Sequence, residues 1–252
     1  MKDNKTFNLK ELKQLKMEMT KFLMNYEFAI EEITTKINIL SQEFHYTHEH
    51  NPIEHVNYRL KSPESIVRKM HKKNLPLSLS AIQENITDIA GVRIVCSFIS
   101  DIYALCRMLE NQKDIKVIEI KDYIRQPKPS GYQSLHMLVK IPVYMSDCSK
   151  EVCVEIQIRT IAMDFWASLE HKIYYKYNQE VPGSLVNELK EAADSAAALD
   201  RKMEKLHLEM KEIKLQTEDE EETLELLLAS NRFRLPERFL TSQGMMNPKK
   251  KE

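Results

Sequence analysis

Glycine is scarce in this chain, with four residues in 252. The common glycine-rich phosphate cradles are excluded, since neither a GxxxxGK[ST] loop nor a GxGxxG turn occurs. No apolar run reaches the length of a membrane span, and the first residues lack a positive-then-apolar signal pattern. No membrane partner is therefore expected. The four cysteines, Cys96, Cys106, Cys148 and Cys153, never fall in CxxC spacing. Reduced thiols in a cytoplasmic protein are the expectation. The net charge is −1, so the overall balance speaks neither for nor against DNA or RNA. Phosphate binding must come from local clusters.

What is present suits a folded, soluble protein: 42% of residues are apolar and 30% charged. From residue 9 to 44, apolar side chains recur every three or four positions, from Leu12, Leu15 and Met19 to Ile33, Ile37 and Leu40. The spacing predicts one long helix. Helical spacing returns over 63–74, 101–112, 160–177 and 185–215. The runs 91–98, 115–120, 134–142 and 152–158 read as strands, the last two as a hairpin. That order points to an α/β or α+β core. Pro182 and Gly183 mark a break before the last helix, whose stripe is Leu189, Ala193, Ala196, Leu199, Met203, Leu206 and Met210. The chain thus divides into an N-terminal helix (1–50), a core (51–180), an oligomerisation helix (181–216) and a charged tail (217–252). His45, His48, His50 and His55 crowd together, but their spacing matches no standard metal site and Pro52 interrupts them.

The stretch KPSGYQSLHMLVKIP (128–142) begins as a turn at Pro129, Ser130 and Gly131 and then alternates, with Leu135, Met137, Val139 and Ile141 on one side. An aromatic ring, a hydroxyl and an imidazole stand at the junction: Tyr132, Ser134 and His136. In VCVEIQIRT (152–160), Cys153, Glu155, Gln157 and Arg159 face away from Val152, Val154, Ile156 and Ile158. Asp88 precedes the GVRIV strand that holds Arg93. Two acids near strand ends could hold Mg²⁺, which usually binds through one or two carboxylates plus phosphates. Arg59, Lys61, Arg68 and Lys69, with Ser65 between them, carry the several charges that a polyphosphate requires. Solvated basic residues on a helix would give the same run. The residues alone point to a Mg²⁺-dependent nucleotide enzyme.

Four blocks, YRLKSPESI, DIAGVRIVCSF, KDYIRQPKPSGYQSLH and VEIQIRTIAMDFWASLEHKIYYKY, resemble the RelA/SpoT synthetase domain in its single-domain form, the small alarmone synthetases. NPIEH, KSPESI and AMDFWASLEHKIYYK are most similar to its RelP (YwaC-like) branch. The resemblance runs from about residue 20 to 210. It implies an α+β fold: a mixed five-stranded sheet flanked by helices, akin to nucleotidyltransferases. It implies transfer of pyrophosphate from ATP to the 3′-hydroxyl of GDP or GTP, giving ppGpp or pppGpp and AMP, with Mg²⁺ as cofactor. A homotetramer built on the terminal helices is also implied, as is the absence of the hydrolase found in longer relatives.

Residue by residue, the resemblance assigns Arg59, Lys61, Ser65, Lys69, Arg93 and Lys121 to ATP. Asp88 and Glu155 become metal ligands and, with Arg93, the catalytic set, Glu155 being the candidate base. Lys128, Tyr132, His136, Gln157 and Asp164 fall on the GDP/GTP side. Gly131 would let the loop approach the nucleotide, Tyr132 would stack on guanine, His136 would reach phosphate or ribose, and Asp164 would read the base with both carboxylate oxygens. Gln133 stands where relatives often carry Arg or Lys. Two other readings stay open: pyrophosphate transfer to a tRNA 3′ end, which calls for a basic surface, and a non-catalytic nucleotide- or RNA-binding oligomer, which has no need of both acids.

Overall fold

A computed structural model describes residues 8–48, 50–175 and 182–217. Helix α1 (Leu9–Thr47) leads into strand β1 (Ile53–Leu60), α2 (Pro63–Lys72), α3 (Leu79–Asn85), β2 (Ala90–Cys96), α4 (Ile99–Glu110) and β3 (Lys116–Asp122). The hairpin β4 (Leu135–Tyr144) and β5 (Ser149–Thr160) follows, then α5 (Ile161–Tyr175) and α6 (Gly183–Thr217). The five strands form one mixed sheet in the order β1-β2-β5-β4-β3. Only the β2–β5 pair is parallel. The sheet and its class are those that the resemblance implied.

The period-two pattern decides which way the sheet faces. Val92, Ile94, Met137, Val139, Ile141, Val154, Ile156 and Ile158 are buried in one cluster with Ala29, Ile33 and Ile37 of α1 and Ile102, Leu105 and Leu109 of α4. Residues directly opposite across a ladder share a face. Arg59 pairs with Gly91, Gly91 with Glu155, and Glu155 with Leu138. One step along, Asn57, Arg93, Gln157, His136 and Lys121 are paired in turn. These two rows run across the polar face. All four cysteines are free thiols.

Two elements do not show in the periodicity. Strand β1 is an edge strand whose side chains are mostly exposed, so IEHVNYRL carries no apolar alternation. Helix α3 has 7 residues, fewer than two turns, although Ser78 caps it by accepting from the Ala81 N–H.

The α6 stripe read from the sequence splits in two. Ala193 is buried with Trp166 and Ala167 of α5, and Ala196 packs beside them. Leu199, Met203, Leu206 and Met210 are 46–55% exposed. A helix of 35 residues is about 53 Å long at 1.5 Å per residue, so it overruns the surface that its own domain offers. Leu12 and Leu15 of α1 are exposed too, while the stripe from Phe22 to Leu40 is buried.

Gly131 packs against α6. Its φ is +87°, and an added Cβ would lie 2.4 Å from the Cβ of Ala193. Replacement Gly131→Ala should cost about 2–4 kcal/mol, from left-handed backbone strain and overpacking together. Urea unfolding measures it; a loss under about 0.5 kcal/mol, within the usual range for surface changes, would show that the loop simply moves away.

Candidate active site

On the β1 side, backbone pairing continues past the strand end. Lys61 donates its N–H to the Ile89 carbonyl at 2.8 Å, which sets its side chain beside Asp88. Lys61 Nζ lies 2.6 Å from one Asp88 oxygen, and Lys69 Nζ of α2 lies 2.7 Å from the other. Burial pushes the Asp88 pKa up, but the hydrogen bonds and charges of the two lysines outweigh it and hold the carboxyl below its ordinary range. Ser65 sits in the first turn of α2, where its N–H donates to the capping Ser62 Oγ. Arg59, Gly91, Arg93, Glu155 and Gln157 line a cavity of about 180 Å³. Arg93 Nε is buried without a hydrogen-bond partner among the described residues.

Glu155 stands on the central strand β5. Gln157 Nε2 donates to its Oε2 at 2.8 Å, and His136 Nδ1 is 3.6 Å from its Oε1. Burial again raises the carboxyl pKa, and the bonds from His136 and Gln157 more than reverse it, so Glu155 is a carboxylate at neutral pH. The Tyr132 hydroxyl accepts from Arg159 at 2.6 Å and lies 2.7 Å from His136 Nε2. That leaves the phenolic proton for Nε2, which puts the proton of a neutral ring on Nδ1, towards Glu155.

Arg159 is the residue that sequence reasoning left without a role. It is 4% exposed. It donates to Ser134 Oγ, Asp164 Oδ1, Tyr132 Oη and Gln157 Oε1. One buried guanidinium therefore fixes three of the five acceptor-side residues. The available signal was a permanently charged side chain between Ile158 and Thr160 at the end of the strand, because a buried cation needs partners.

Asp164 differs from its expected state. Its Oδ1 is shared by Arg159 at 3.1 Å and Arg93 at 3.2 Å, which leaves Oδ2 as the oxygen without a protein partner among the described residues. Burial and then Arg159 press the Arg93 pKa down, with Asp164 opposing. A guanidinium nevertheless stays charged. Lys128 Nζ lies 4.6 Å from the Tyr123 ring centre and 4.8 Å from that of Tyr132.

Five of the six ATP-side residues gather on β1, α2 and β2. Lys121 does not: it lies on the opposite edge strand, paired across to His136 and in contact with Glu119 at 3.0 Å. Its backbone is four strand spacings from Arg59, about 19 Å. Gln133 lines a pocket with Trp166, Met163 and Ala193, so it faces α5 and α6. The four histidines do not converge: among the described residues no group of three or more His, Cys, Asp or Glu could hold a metal. His50 instead contacts Asp101 at 2.9 Å. Asp88 and Glu155 offer an all-oxygen, ionised pair. That suits a hard divalent cation whose other ligands come from phosphate and water.

Comparison with known proteins agrees with this geometry. The region found in RelA / SpoT proteins matches residues 58–180. The chain is 50% identical over 196 residues to GTP pyrophosphokinase YwaC of Bacillus subtilis strain 168, covering 78% of this chain and 93% of that protein. It is 40% identical over 192 residues to GTP pyrophosphokinase YjbM of the same organism, covering 76% of this chain and 90% of the relative. Among solved structures, the small alarmone synthetase 2 of B. subtilis superposes with a TM-score of 0.70 at 50% identity, covering 76% of this chain and 99% of the other. Small alarmone synthetase 1 bound to its product pppGpp superposes at 0.72 and 39% identity, covering 77% and 98%.

Proposed function

Because the chain belongs to the RelA/SpoT family, among its small alarmone synthetases, we infer that it transfers pyrophosphate from ATP to the 3′-hydroxyl of GDP or GTP. The products are AMP and ppGpp or pppGpp. One observation carries the reading. Ionised Glu155 stands on the middle strand, with the Lys61–Asp88–Lys69 group on one side and His136 and Tyr132 on the other. A donor and an acceptor laid along the polar face would meet at Glu155.

In that reaction the acceptor 3′-oxygen attacks the β-phosphorus, the bond to the α-phosphate oxygen breaks, and AMP leaves with the electron pair. Glu155 takes the 3′-hydroxyl proton. Lys61, Lys69 and Ser65 hold the phosphates, and Arg59 and Arg93 flank the donor. Lys121 reaches in from the acceptor edge. Lys128, Tyr132, His136, Gln157 and Asp164 bind GDP or GTP, with Arg159 keeping them in register. Asp88 and Glu155 are the residues that would hold Mg²⁺, which when bound offsets charge on the phosphate oxygens. No observation favours a tRNA acceptor or a silent binding oligomer. With ATP labelled at the β-phosphate, Mg²⁺, and GDP, GTP or tRNA offered separately, the label should pass to the guanine nucleotide with one AMP per product. Label in tRNA alone, or in no acceptor, would overturn the assignment.

Oxygen Oδ2 of Asp164 is the group left to accept from the guanine amino group. GDP should therefore exceed IDP in kcat/KM by about five- to thirtyfold, or 1–2 kcal/mol for one hydrogen bond to a carboxylate. Asp164→Ala, which removes the acceptor, should lose that preference. Equal efficiencies in the wild-type enzyme would remove Asp164 from base reading.

The exposed apolar runs of α1 and α6 support assembly into a homotetramer, and the protein is assigned to the cytoplasm. Among the described residues, no helix is long and apolar enough to cross a membrane. The double change Met203→Glu and Leu206→Glu should shift the sedimenting species to a smaller one. An unchanged sedimentation coefficient would mean that this face of α6 lies outside the interface.

A further inference from the structure

A second cavity, of about 880 Å³, opens between α1, α3 and the hairpin end of the sheet. Two consecutive residues of α1 form its floor, Asn25 at 8% exposure and Tyr26 at 4%. Neither side chain has a hydrogen-bond partner among the described residues. Their polar atoms are not sealed in, since only Thr34 Oγ1 and Arg93 Nε are buried without a partner among the described residues, so they are reached from the cavity. Two adjacent polar groups thus look into an open space. Asn25 also interrupts the apolar stripe of α1, where Leu or Ala would pack and propagate the helix better. Burial, and then the neighbouring Cys153, push the Tyr26 pKa up to about 12, so its hydroxyl is a donor at neutral pH.

The chemistry of the walls selects a ligand. A carboxamide presents a donor and an acceptor side by side in one plane, the pattern by which Asn reads the adenine edge. The Tyr26 hydroxyl adds a third point. Phe22, Ile118 and Leu138 supply apolar surface for a flat ring. The charged residues cancel: Lys21, Lys140 and Lys150 are matched by Glu18, Glu84 and Glu151. No net positive field favours a polyphosphate.

We propose that this cavity is a separate binding site for a purine nucleoside, held at its base edge by Asn25 and Tyr26. The site adjoins the catalytic acids: Cys153 lies two residues from Glu155 on the same face, and Thr87 on the rim precedes Asp88. The proposal rests on the catalytic reading only for the ligands that block the other two pockets, and its test measures binding.

In the full chain, the ATP and acceptor pockets are first filled with a non-hydrolysable ATP analogue and GDP. Adenosine, guanosine and cytidine are then titrated separately by calorimetry. One purine nucleoside should bind saturably and more tightly than cytidine. Tyr26→Phe, which keeps the ring packing, and Asn25→Ala, which suits the helix, should each weaken it about five- to tenfold, the worth of one hydrogen bond. Three results would each overturn the site: no saturable binding with the pockets filled, equal binding of cytidine, or affinity unaltered in both floor variants.

Discussion

Replacement Glu155→Gln should lower kcat by about a hundred- to ten-thousandfold while KM for both nucleotides stays within a few-fold. The amide fits the site, because its carbonyl can still accept from Gln157 Nε2, now 2.8 Å from the carboxylate. It cannot take a proton, and it is a poorer ligand for a hard cation. His136 is the rival base. The two are told apart by pH. Hydrogen bonds from His136 and Gln157 hold Glu155 below its ordinary 4.5 despite burial. The acid limb of kcat/KM, corrected for ionisation of the nucleotide phosphates, should then lie below 4.5. A limb at about 6–7, the usual imidazole range, would transfer the role to His136. A Gln variant turning over within a few-fold of wild type would remove Glu155 from the chemistry.

Asp88→Asn should cost about a hundred- to thousandfold in kcat/KM, the usual effect of removing one aimed electrostatic group. Unlike the Glu155 change, it should also weaken the fold. Lys61 and Lys69 would face an amide instead of the carboxylate they now flank at 2.6 and 2.7 Å. A loss of about 1–3 kcal/mol is expected at pH 7, since both partners are only partly buried. The sign with pH follows from the depressed folded-state pKa. Asp88 contributes its full stability above the ordinary 3.8 and loses it as pH falls through the lower folded value. Urea unfolding of the two proteins should therefore differ at pH 7 and converge in strong acid. A gap of the same size at both ends would mean that the lysines do not hold the Asp88 charge.

Much of the site could be read along the chain because the chemistry is written in period two. Glu155 and Gln157 alternate with Val154, Ile156 and Ile158, so their shared face followed from strand geometry alone. Asp88, Arg93, Tyr132 and His136 were legible as polar residues placed at strand ends or junctions. Arg159 was named on that same polar face but given no role. Its partners lie in two separate stretches, Tyr132 and Ser134 in one and Asp164 in another, and local sequence does not say that they converge. Strand β1 was missed for the opposite reason. At a sheet edge few positions are buried, so the apolar signal that marks a strand is absent.

The sequence by itself determined most element types of the core, an α/β or α+β class, the face on which the acids lie, and the exclusion of glycine-rich phosphate loops. Those follow from local propensity and periodicity, which act within a few residues. Tertiary structure alone decided the rest. Register across four ladders set Arg59, Gly91 and Glu155 in one row and sent Lys121 to the far edge. Close packing of α6 against the 128–132 turn made Gly131 obligatory through Ala193, and two guanidinium groups took one oxygen of Asp164. Contacts between residues distant in the chain depend on how whole elements pack, and periodicity carries no information about that distance.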